Sequence, residues 1–244
     1  MALDLVDYDS KAQEAIKAFW GDREPVKKTQ GQAGQIDQGE RSAVTSGKNL
    51  DGFIALIRDV VEANGLPHAD IQQSKALLTL PGYFRSTKRW DLVVIHEGRL
   101  VAAVELKSQV GASFGNDFNN CSDGAIGCAH DLRSAYSENA LGEQRWPFVG
   151  WLMVVEDATG GQTLTLDQSI HLPVSEEFQG TSYLKRYDIL CRRLMKERLY
   201  TSASVIATPR NAATSGEYRD LSPMTGLREF IAAFAAHIAV EAIR

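Results

Sequence analysis

Arg89 to Gln109 reads RWDLVVIHEGRLVAAVELKSQ, two apolar runs around a glycine-containing turn, with acids and a lysine where a buried strand is ordinarily apolar. Val93, Val94, Ile95, Val101, Ala102, Ala103 and Val104 suit a hairpin covered on both faces. Side chains alternate across a strand, so Glu105 and Lys107 share one face and Leu106 takes the other. With a three-residue loop Glu97-Gly98-Arg99 the pairs run 96 with 100, 94 with 102 and 91 with 105, which brings Asp91 to the same face. A slip of one residue would send Asp91 to the opposite face. Two carboxylates beside an ammonium suit Mg²⁺, which takes carboxylate oxygens and keeps several waters, and the lysine can stabilise charge on a phosphorus centre or orient the attacking water. The ordinary alternative is a salt bridge on an edge strand, worth little. The apolar neighbours argue against it, because unpaired charges there are expensive without a role.

Outward from this hairpin, residues 9–20 place apolar side chains at helical spacing, and NLDGFIALIRDVVEANG predicts an amphipathic helix stopped at Asn64-Gly65. Between them, 21–47 is a polar Gln, Gly, Lys and Arg segment, either disordered or ordered by a ligand such as DNA. KALLTL before Pro81-Gly82 predicts a strand that joins the hairpin as a three-stranded meander. Residues 117–139 and 182–200 predict helices, PFVGWLMVVE a central strand, SASVIATP a last strand, and 227–243 a terminal helix, with 164–179 irregular. The interleaving, without linker or repeat, predicts an α/β fold: one domain over 1–244 with a central mixed sheet of about five strands flanked by helices.

The chain has 244 residues, 44% hydrophobic and 23% charged, enough for a sizeable core. No apolar run of membrane-spanning length and no signal-peptide pattern is present, so the expected location is cytoplasmic, away from membranes. Cys121, Cys128 and Cys191 lack metal-site spacing and read as reduced, packed thiols. The formal net charge of −5 equals the balance of 142–180 alone, where six acids face Arg145, so the rest sums to zero. Any positive surface for DNA must therefore be local.

Asp91 followed by Glu105-Leu106-Lys107 resembles the PD-(D/E)XK nuclease core, with Trp90 where the proline often stands. The longer series IDQGERSAVTSGKNLDGF, LTLPGYFRSTKRWDLVVI, GRLVAAVELKSQVGASFGNDFNN, AIGCAHD, PFVGWLMVVEDA and TSYLKRYDILCRRL is similar to the XhoI family of type II restriction endonucleases over nearly the whole chain. The resemblance implies a Mg²⁺-dependent homodimer that cuts the duplex palindrome CTCGAG after the first C, leaving a four-base 5′ extension. It implies functional pairing with a DNA methyltransferase, without stable contact. It assigns Asp91 and Glu105 as metal ligands, Lys107 as the catalytic lysine and the Leu106 carbonyl as a further metal contact. A carboxylate from an earlier helix often joins such sites; Glu40 and Asp51 are the candidates, though either can instead cap or solvate a helix start.

Base reading favours Arg or Lys at guanine and Asn or Gln at adenine. Lys27 and Lys28 in the polar segment, Gln109, Asn116, Asn119 and Asn120 after the hairpin, and Arg210 with Asn211 after the last strand are the candidates, against an ordinary reading as solvated loops. The basic residues of 185–196 read first as a solvated face and second as phosphate contacts. A DNA-binding protein with a degenerate nuclease fold is an alternative that the intact Asp91, Glu105 and Lys107 oppose. GASFG matches a serine-hydrolase elbow at Ser113, but ELKSQV precedes it and no oxyanion segment lies upstream. His130-Asp131 alone is weak evidence for a metal phosphohydrolase.

Overall fold

The computed structural model describes residues 3–21, 50–67, 69–72, 78–111, 113–165 and 169–244. Segment 21–47 beyond Gly21, and with it Lys27, Lys28 and Glu40, lies outside the described residues. Helices α1 (Tyr8–Gly21) and α2 (Asp51–Ala63) precede strands β1 (Asp70–Gln72), β2 (Thr79–Pro81), β3 (Thr87–Arg89), β4 (Leu92–His96) and β5 (Arg99–Gln109). Helix α3 (Phe114–Ser137), β6 (Phe148–Glu156), α4 (Tyr183–Lys196), β7 (Ser202–Thr208), β8 (Arg219–Asp220) and α5 (Leu227–Ala242) follow, with short helical turns between them.

The main sheet is mixed, in the order β1-β4-β5-β6-β7-β8. β5, β6 and β7 are parallel, and β4 runs antiparallel to β5. The edge strands β1 and β8 are only three and two residues long. Period-two alternation sorts the core into two layers. Leu92, Val94, Ala102, Val104, Leu152 and Val154 pack with α1, α2 and α5. Val93, Ala103, Val149, Trp151, Met153 and Val205 pack with α3 and α4. All nine residues of β6 are buried, as its unbroken apolar run requires for a central strand.

The meander is corrected. Residues 75–77 of KALLTL lie outside the described residues, and β2 pairs with β3 in a separate two-stranded sheet, not with β4. β1 takes the place beside β4. The small hairpin turns at Gly82 and is held on α3 by the buried Asp131 carboxylate, which accepts the Tyr83 and Phe84 N–H groups at 2.9 and 2.7 Å and pairs with Arg85 at 3.2 Å. This structural role accounts for the His130-Asp131 pair.

The β4–β5 loop also differs from the expected three residues. His96 pairs with Arg99 across a two-residue turn, with Glu97 and Gly98 at φ of 50° and 75°. Both positive angles match a type I′ turn. A bulge then steps the pairing from Ile95↔Leu100 to Val94↔Ala102, with Val101 as the extra residue. The bulge restores the expected pairing from Val94 onward and sets Asp91 opposite Glu105 by continuation of Leu92↔Val104. The left-handed geometry at Gly98 gives a test: Gly98→Val should destabilise the protein by about 1–2 kcal/mol, lowering Tm by about 2–8 °C at this chain length, whereas Glu97→Asn should raise it. Equal melting of both variants and the parent would contradict the turn assignment.

Candidate active site

Glu105 and Lys107 lie in the second half of β5, on the face covered by α3 and α4, with Asp91 just before β4 on the same face. The Lys107 ammonium sits 2.6 Å from Glu105 Oε2 and 3.2 Å from Asp91 Oδ2. The Leu106 N–H donates to Asp91 Oδ2 at 2.9 Å, fixing that carboxylate against the strand. Glu105 has 3% side-chain exposure, against 41% for Lys107 and 31% for Asp91, so the cluster opens to solvent through the aspartate and the lysine.

A fourth charged residue joins the cluster from outside the central hairpin. Lys88, on β3, pairs its ammonium with Glu105 Oε1, donates to the Arg89 carbonyl at 2.5 Å and lies 5.2 Å from the centre of the Trp90 ring. Its signal was positional: RSTKRWD puts a lysine three residues before Asp91, but only the β2–β3 fold aims it at the carboxylate. Burial pushes the Glu105 carboxyl up, yet Lys107 and Lys88 outweigh burial and hold it below the ordinary carboxylate range. Burial likewise opposes the Lys107 ammonium, and Glu105 and Asp91 overcome it and raise its pKa.

The pair fits a hard divalent cation. Asp91 Oδ2 and Glu105 Oε2 already converge on one positive centre, and Mg²⁺ ordinarily takes one or two carboxylates and keeps waters for the rest of its shell. Among the described residues no group of three or more His, Cys, Asp or Glu could hold a metal ion. Asp51 opens α2, and Glu40 lies outside the described residues. A groove of about 890 Å³ along α3 and α4 is lined by residues such as Phe118, Arg192 and Met224 and includes none of the catalytic trio.

The other candidates separate. Asn116, Asn119 and Asn120 are exposed on the first turns of α3, at a spacing that puts them on one helix face. Gln109 is 1% exposed; its amide N–H donates to the Gly111 carbonyl at 3.2 Å, and its side-chain oxygen is buried without a hydrogen bond. Arg210 pairs with buried Glu156, which also accepts the Gly111 N–H at 2.8 Å, so this trio braces the ends of β5, β6 and β7. Asn211 beside it is exposed. On α4, Lys185 and Arg192 pair with buried Asp188, Arg193 pairs with Glu177, and Arg186 is itself buried, which makes this basic face largely an internal ion-pair network. Ser113 is exposed at the start of α3, His130 is about 25 Å along the same helix, and His237 bonds to the Val101 carbonyl. That arrangement does not assemble a serine-hydrolase triad. Burial raises the pKa of all three cysteine thiols, as expected for packed groups.

The charge cluster has a stability signature in EDTA. Glu105 contributes above its ordinary value of 4.5, and that contribution is lost as pH falls through the lowered folded value. Lys107 contributes below its ordinary 10.5 and loses that contribution as pH rises through the raised folded value. Glu105→Gln should therefore cost about 2–3 kcal/mol at pH 7 and flatten the dependence of Tm on pH below 4.5 relative to the parent. An unchanged melting profile from acid to neutral pH would show that the cluster contributes nothing.

Comparison with known proteins identifies the family. The family model for restriction endonuclease XhoI matches residues 29–220. The chain is 57% identical over 175 residues to the type II restriction enzyme AbrI of Azospirillum brasilense, covering 72% of this chain and 78% of that one. It is 49% identical over 196 residues to the type II restriction enzyme XhoI of Xanthomonas vasicola, covering 80% and 78%. It is 37% identical over 216 residues to the type II restriction enzyme BstVI of Geobacillus stearothermophilus, covering 86% and 96%. No solved structure matches the chain. The chain belongs to the XhoI family of type II restriction endonucleases.

Proposed function

We propose that this enzyme hydrolyses both strands of duplex DNA at CTCGAG in a Mg²⁺-dependent reaction, cutting after the first C of each strand. The convergence of Asp91, Glu105 and Lys107 on one open face carries the chemistry. Similarity to the enzymes above and the match to the XhoI family support the choice of site. Asp91 and Glu105 would hold the cation, with the Leu106 carbonyl as a further contact. A bound Mg²⁺ supplies Lewis-acid polarisation of the phosphoryl oxygens.

Lys107 acts as a fixed charge. Its ammonium lies beside both carboxylates and would offer an N–H to a non-bridging phosphate oxygen, stabilising the charge that builds as the phosphorus becomes pentavalent. Asn116, Asn119 and Asn120, exposed on one face of α3, are the proposed contacts to bases or backbone beside the cut. Lys27, Lys28, Arg210 and Asn211 complete the proposed DNA contacts, with Glu40 as the proposed third carboxylate; Gln109, being buried, is left out of them. For Arg210 to touch DNA it must do so while braced by Glu156.

The working form is a homodimer, because a two-fold pair lets one set of contacts read both halves of a palindrome and sets one catalytic trio at each strand. Adenine is read through N6 and N7 in the major groove, so a methyl on N6 would block the complex, which is how a partner methyltransferase protects host DNA in the cytoplasm. Among the described residues no helix is long and apolar enough to cross a membrane. The test compares the parent and Lys107→Ala on CTCGAG, its N6-methyladenine form and single-base variants, with Mg²⁺ or EDTA, alongside solution mass. The parent should be dimeric and cut only unmodified CTCGAG with Mg²⁺, and Lys107→Ala should bind it but cut at least about 10²-fold more slowly. Near-normal turnover of the variant would remove Lys107 from the chemistry, and indifference of the parent to methylation or base changes would overturn the assigned site.

A further inference from the structure

The β2–β3 hairpin carries exposed aromatic surface that the fold does not use. Tyr83 and Phe84 at its tip are 53% and 66% exposed and stack edge to face at 4.8 Å. The tip is nevertheless rigid in its attachment: Asp131 accepts both backbone N–H groups and pairs with Arg85, and Phe84 lies against the His130 ring at 5.6 Å. An added Cβ at Gly82 would fall 2.5 Å from the Arg85 carbonyl oxygen, so the turn needs its glycine. At its other end the same hairpin supplies Lys88 to Glu105.

Three features point to one occupant. Phe84 precedes Lys88 by four residues, so the tip lies within about 13 Å of the catalytic carboxylate's partner. A two-stranded ribbon fits the major groove, which is about 12 Å wide. Exposed Arg89 gives the ribbon a positive flank suited to a phosphate. Within that groove the thymine C5 methyl is the largest apolar group on a base edge, and side chains such as Phe contact it favourably.

We propose that the β2–β3 hairpin enters the major groove beside the cut and that Tyr83 and Phe84 pack on the thymine methyl of each half-site. This rests on the reading of the protein as a nuclease for a palindrome containing thymine. Because Lys88 on the same ribbon pairs with Glu105 on β5, an ion pair ties the proposed base contact to the carboxylate cluster.

The experiment measures binding, with Ca²⁺ in place of Mg²⁺, of fluorescent duplexes carrying CTCGAG or the same site with deoxyuridine for both thymidines. The proteins are the parent, Tyr83→Ala/Phe84→Ala and Arg89→Ala, each checked for unchanged melting. One buried methyl corresponds to about fourfold in affinity, so the parent should bind the uracil duplex about fifteenfold more weakly than the thymine one. The double variant should bind the thymine duplex at least as weakly as the parent binds uracil, and it should no longer distinguish the two. Its salt dependence should match the parent's, whereas Arg89→Ala should reduce the slope by about one phosphate contact. A double variant that still distinguishes thymine from uracil, or a parent that does not, overturns the inference. If the parent selects a sequence other than CTCGAG, the site assignment fails separately, and the same variants are compared on thymine and uracil forms of the selected sequence. Full discrimination by the double variant there, or a selected sequence without thymine, sinks the hairpin's role.

Discussion

Glu105 is almost fully buried on the face of the central sheet, yet its carboxyl stays ionised because Lys107 and Lys88 bond to its two oxygens. Desolvation alone would favour the neutral acid, and a neutral acid is a poor metal ligand and a poor anchor for a lysine. The requirement propagates through the fold. Lys107 must lie on the same face two residues on; Lys88 must arrive from a second sheet; and Asp91 must stand across from Glu105, held by the Leu106 N–H. Each demand fixes a register, and the apolar layers on both faces hold those registers because a one-residue slip would turn core side chains to solvent.

The polar groups around this centre divide the work. Asp131 holds the β2–β3 turn, Glu156 with Arg210 and Gly111 closes the ends of the parallel strands, and Asp188 gathers Lys185, Arg192, Ser222 and Thr225. These buried carboxylates are each met by several donors, as burial of charge requires. They are braces, whereas around Lys107 two carboxylates, Asp91 and Glu105, meet on one ammonium.

Much of this was legible in the chain. The helices over Tyr8–Gly21, Asp51–Ala63 and Tyr183–Lys196 follow apolar spacing, and the unbroken run Phe148–Glu156 announces a central strand. The pairing of Asp91 with Glu105 was also legible, although the loop that leads to it was not: Val101 bulges without a glycine or proline to mark it, and the shorter turn and the bulge cancel in register. β1 and β8 were invisible because two or three residues hold no periodicity. The β2–β3 sheet was missed because pairing partners are chosen by tertiary packing, here by Asp131 on α3, a residue distant in sequence. Composition could not tell a basic residue that braces a carboxylate, such as Arg210, from one free to meet phosphate, and it gave no sign that Lys88 reaches Glu105.

The central claim is that Asp91 and Glu105 together form the cation site on which hydrolysis depends. It is tested most directly by titrating the parent protein, Asp91→Ala and Glu105→Ala with Mn²⁺ in the presence of uncleavable phosphorothioate CTCGAG duplex and counting bound metal by electron paramagnetic resonance. The parent should bind saturably and each variant should lose about tenfold or more in affinity, the scale on which the loss of even an outer-shell partner is felt. Variants that bind Mn²⁺ as the parent does, with the same stoichiometry and affinity, would contradict it.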